Sequence, residues 1–113
     1  QVGISRKQAF GLQSRHPLGQ LTVGLLQGWF EKEPSRQRFD FYDPLAMAFA
    51  LEPAVASVKK IDLDVDLEQS QFWGATWETG GPGEITVLGD VHAPRFFKFL
   101  EESLGLEGLP TGY

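Results

Sequence analysis

The sequence predicts a mixed α/β fold, and three features of its hydrophobic pattern point there. Apolar residues recur three to four apart at Leu18, Leu21, Leu25 and Trp29, which is the helical period. The period then drops to two, as Ile61, Leu63, Val65 and Leu67 alternate with Asp62, Asp64, Asp66 and Glu68. A helical spacing returns at Phe96, Leu100 and Leu104. Helices first, then strands, then a helix make the class mixed.

Each element has a local cause. Ser5-Arg6-Lys7-Gln8 has the form of a capping box and predicts a short helix from there to about Arg15. The second helix, through Leu18 to Trp29, ends at Pro34, and Gly19, Gly24 and Gly28 make it dependent on close packing against a neighbour. Asp43-Pro44 reads as an N-cap followed by proline at the first helical position. Leu45 to Leu51 is apolar all round, which suits a helix buried on every side, and Glu52-Pro53 stops it. The alternating stretch places Ile61, Leu63, Val65 and Leu67 in a core and the carboxylates in water. Phe72 to Thr79 and Glu84 to Val91 are two further strand candidates, joined as a hairpin by Gly80-Gly81-Pro82-Gly83. Pro94 opens the last helix, and the Gly- and Pro-bearing residues 105–112 read as a terminal tail.

Composition narrows the function classes. The chain has 113 residues with a net charge of −5, which disfavours general binding to nucleic acid phosphates. The charge is uneven: residues 1–40 carry six basic and three acidic groups, and residues 41–113 carry four and twelve. No cysteine is present, so disulfides, thiolate metal clusters and thiol nucleophiles are excluded. No apolar run approaches the roughly 20 residues of a membrane span, so no membrane partner is expected. The first residue is Gln1 and no basic-then-apolar leader follows it. The chain therefore reads as processed or as a piece of something longer, with the cytoplasm as the default compartment.

Few constellations carry chemistry. A calcium loop opening at Asp62 needs Gly at its sixth position and Glu at its twelfth, where the chain has Leu67 and Trp73. His16 and His92 stand beside or near prolines at element boundaries and read as turn or cap positions. Trp73 and Trp77 lie four apart, so on one strand they share a face and pack on a neighbouring layer rather than forming a platform for bases. There is no phosphate-cradling loop followed by Lys and no Gly-x-Ser-x-Gly elbow. What remains is Tyr42-Asp43-Pro44-Leu45-Ala46, a phenol and a carboxylate at the entry of an apolar helix. Taken alone, that segment is a helix start.

The segment Tyr42-Asp43-Pro44-Leu45-Ala46-Met47-Ala48, followed by Leu51-Glu52-Pro53, resembles the His-Asp-Pro-Leu-Ala segment of the inosine-uridine preferring nucleoside hydrolases. Val2-Gly3-Ile4-Ser5-Arg6-Lys7 upstream, the alternating strand at 58–67, the hairpin about Gly80-Gly81 and the Phe-rich helix at 94–104 are similar to that family's C-terminal part in the same order. The resemblance covers nearly all of residues 1–113 but only the last third or so of a family member. It implies an open α/β sheet with flanking helices and a hairpin, and a calcium-dependent enzyme of purine and pyrimidine nucleoside catabolism. Such an enzyme cleaves the N-glycosidic bond of a ribonucleoside to give ribose and free base. It also implies Asp43 as a calcium ligand, with Tyr42 where the family has the histidine associated with the leaving base.

The Asp-rich motif that supplies the other ligands and the general base, and the ribose-binding residues, have no counterpart here. Calcium is therefore expected only if the rest of the site is supplied, and the chain alone is expected to be inactive. The other reading is a non-catalytic α+β module or partner-dependent subunit that kept the shape. A fragment would expose apolar surface near Leu45, Met47 and Phe49 or along Leu21, Leu25 and Trp29, and homo-oligomers are one way to cover it.

Overall fold

A computed structural model describes residues 2–111. The elements run β1 (Gly3–Ser5), α1 (Arg6–Gly11), β2 (Gln13–Ser14), α2 (Pro17–Lys32), β3 (Arg38–Asp40), α3 (Tyr42–Leu51), a 3-10 turn (Pro53–Val55), β4 (Ala56–Val65), β5 (Thr76–Thr79), β6 (Ile85–Val91), α4 (Ala93–Leu104) and β7 (Leu106–Glu107). The class is mixed α and β, and the described residues form four helices and small sheets of two, two and three strands. Two compact units result: Gln1–Val55 with Val91–Tyr113, and Ala56–Asp90. The acidity follows these units rather than the halves of the chain. Ala56–Asp90 carries seven acidic and two basic residues, and the rest of the chain carries eight of each.

The first unit is built around aromatic side chains. The predicted capping box is present: the Gln8 N–H donates to Ser5 Oγ at 3.2 Å, and the Ser5 N–H donates to Gln8 Oε1 at 2.8 Å. The helix it starts ends at Gly11, short of the expected Arg15, because Gln13 and Ser14 are drawn into pairing with Glu107 and Leu106. Ser14 Oγ also donates to the Gly105 carbonyl at 2.6 Å. Residues 105–109 are therefore no loose tail. Leu106 and Leu109 are buried, and Gly105 takes the left-handed conformation that closes α4.

β1 pairs antiparallel with β3, placing Ile4 opposite Phe39. Phe30, Phe41, Phe96 and Phe97 fill the space behind them, and Phe41 meets Phe39, Phe96 and Phe97 in edge-on contacts. α4 buries Ala93, Phe96, Phe97 and Leu100, a stripe at i, i+3, i+4 and i+7.

The faces of α2 and α3 differ from expectation. α2 buries Gly19, Leu26 and Phe30, while Leu18, Leu21 and Leu25 are exposed. Only Gly19 of its three glycines is needed for close packing, since a β-carbon there would collide with Ser14 Oγ and the Leu104 carbonyl; at Gly24 and Gly28 it would meet nothing. α3 is not buried on every side. Ala48 is its one buried residue, and Tyr42, Met47 and Leu51 are exposed. An apolar pattern reports where burial is favourable, and this unit supplies α3 with a partner on one side only.

The second unit is a three-stranded sheet in the order β5-β4-β6. β4 pairs antiparallel with β5, with Asp62 opposite Thr79 and Asp64 opposite Trp77. The expected hairpin of β5 and β6 is thus absent: both strands flank β4, and the Gly-rich residues 80–84 pass from one to the other. The Asp62 carboxylate holds this connection by accepting the N–H groups of Gly83 and Glu84 at 2.9 and 2.8 Å. β5 begins only at Thr76, because Phe72 to Ala75 belong to the turn that leads into it, with Gly74 at φ +83°. β4 stops at Val65, so Leu67 lies outside it and is exposed. No residue of Ala56–Asp90 is buried, and Ile61 and Leu63 are only half-buried. The unit holds strands and turns alone, so it has no second layer of its own to turn the apolar face of β4 into a core.

Candidate functional site

Tyr42 and Asp43 are positioned by what precedes them. The β1–β3 ladder continues into a bond from the Phe41 N–H to the Val2 carbonyl at 2.9 Å, and the Phe41 ring is buried among Phe39, Phe96 and Phe97. With Phe41 fixed, the chain turns outward and α3 begins. Its N-cap is Phe41, not Asp43, and the cap has no side-chain hydrogen bond. The Leu45 N–H closes the first turn on the Phe41 carbonyl at 3.1 Å. Pro44 is tolerated at the third helical position because the first N–H groups of a helix have no intrahelical partner to lose.

Freed from capping, Asp43 is exposed and its carboxylate has no hydrogen-bond or ion-pair partner among the described residues. It is the single charged residue of α3. Tyr42 beside it is exposed as well. Pro44, next in the chain, is half-buried and lines an open groove of about 430 Å3 together with Leu25, Trp29, Phe39 and Leu104. Thr22 is the one polar side chain in its lining.

Asp43 alone supplies only part of a calcium site. The ion takes six to eight oxygens, and one carboxylate supplies at most two. Among the described residues, no three His, Asp or Glu side chains gather where they would hold a metal.

The other candidates resolve into structural parts. His16 caps α2, its Nδ1 accepting the Leu18 N–H at 3.2 Å, and His92 caps α4, its Nδ1 accepting the Arg95 N–H at 3.3 Å. Both match the cap reading. The acidic ladder is divided by its turns. Asp62 pins residues 83–84, and Asp66 turns the chain after β4 by accepting the Glu68 N–H and the Ser70 hydroxyl. Hydrogen bonds from the Glu84 and then the Gly83 backbone hold the Asp62 carboxyl below the usual carboxylate range. Trp73 lies in the turn and Trp77 in β5, so they do not share a strand face, and both are exposed. The role of Asp62 was not visible in the alternation, which assigns it to water. The Gly-Gly-Pro-Gly run was its one trace in the sequence, because a connection that sheds strand pairing needs another acceptor for its N–H groups.

Neither protein-family models nor curated proteins match this chain. Among the described residues no helix is long and apolar enough to cross a membrane.

Proposed function

We propose that this chain is the C-terminal part of a nucleoside-hydrolase-like protein and that it contributes Tyr42 and Asp43 to a site completed by residues outside it. The supporting observation is the state of Asp43. A carboxylate that served only to start α3 would accept backbone N–H groups, and Asp43 accepts none. Its charge stands free in the first turn of an otherwise uncharged helix, where a negative group is favoured and a ligand has access.

The chemistry assigned to these residues is limited. Breaking the bond between C1′ of a ribose and a base nitrogen leaves negative charge on the departing base. The Tyr42 phenol donates a hydrogen bond or a proton to that base. Asp43 would offer one or two oxygens to a calcium ion, and an Asp-rich segment outside residues 1–113 would have to supply the others. The proposal extends to the fold: the small sheets and flanking helices are read as part of a larger open α/β sheet.

The coding sequence upstream of Gln1 provides the first test, and an Asp-x-Asp-x-Gly-x-Asp-Asp motif there supports the proposal. In the polypeptide that carries both segments, calcium-dependent ribose release from inosine or uridine is expected, falling to background in Asp43→Ala. The isolated chain is expected to release none, because removing members of a catalytic unit costs many orders of magnitude. Release by the isolated chain that Asp43→Ala abolishes overturns the claim that residues outside it complete the site, and none from the complete polypeptide overturns the enzymatic proposal. One observation favours a second reading: Tyr42 stands where the resembled family has histidine. A complete polypeptide that is inactive as it stands and active as Tyr42→His points to a non-catalytic module or partner-dependent subunit that kept the fold.

A further inference from the structure

We draw no further inference here: the strongest candidate, the apolar groove of about 430 Å3 lined by Leu25, Trp29, Phe39 and Leu104 together with the exposed Leu18 and Leu21 of α2, is an unpartnered face, and nothing in the structure shows what covers it.

Discussion

Phe41 and Phe96 meet with ring centroids 5.8 Å apart and planes inclined by 62°, so the residue that caps α3 is packed against a core residue of α4. Phe41 holds the start of α3 through its buried ring, since as the N-cap it makes no side-chain hydrogen bond. Phe41→Ala is expected to destabilise the protein by about 3–5 kcal/mol, the usual cost of removing a buried phenyl ring. Urea denaturation checks this. A loss below about 1 kcal/mol would mean that the start of α3 is held by something else.

The glycines of α2 separate by environment. Gly24 and Gly28 have open space where a β-carbon would go, and neither has a positive φ. Gly24→Ala and Gly28→Ala should each stabilise the protein by about 0.4–1 kcal/mol, through higher helix propensity and a less free unfolded chain. Gly19→Ala should destabilise it, since the new methyl group collides with Ser14 and with the Leu104 carbonyl. Thermal melts of the three variants give the order directly. Equal effects at all three positions would contradict the packing described for Gly19.

Adjacent leucines of the same helix make a similar contrast. Leu26 is 6% exposed and Leu25 is 66% exposed. Leu26→Ala is expected to cost about 2–5 kcal/mol. Leu25→Lys should change the stability of the chain by no more than about 0.5 kcal/mol, as for surface substitutions in general. Denaturant midpoints of the two variants, compared at equal slope, decide the matter. A large loss in Leu25→Lys would show that the outer face of α2 is buried in solution.

The acid response should carry a contribution from Asp62. Its carboxyl is held below the usual range by the Glu84 and Gly83 N–H groups, so the unfolded state binds a proton more readily than the folded one. The stabilisation is therefore present above the ordinary carboxylate pKa of about 3.9 and is lost as pH falls through the lower folded value. Asp62→Asn removes this contribution, and its melting temperature should fall less steeply than that of the parent between neutral pH and pH 3. Parallel curves for the two proteins would mean that the carboxylate is not engaged by residues 83–84.

Local signals and tertiary decisions divide cleanly along this chain. Ser5 and Gln8 announce α1 because a capping box is closed by residues three apart, and His16 and His92 cap helices for the same reason of short range. Phe96 and Leu100 point inward because a helix of fixed pitch aligns them whatever it packs on. These features were legible in the amino-acid order alone, as was the mixed class. Strand partners were not. The Gly-Gly-Pro-Gly run marks a chain reversal, but whether β5 then pairs with β6 or both pair with β4 depends on contacts between residues such as Asp62 and Glu84, 22 positions apart. Burial was equally undecided. Leu25 and Leu26, or Met47 and Ala48, are alike to a hydropathy pattern, and only the arrangement of neighbouring elements sets which of each pair is covered. At the candidate site, the Asp43-Pro44 pair marked a helix start but not which residue caps it. That was settled by the burial of Phe41 among rings from β3 and α4, which moved the start of α3 one residue ahead of Asp43 and left its carboxylate free.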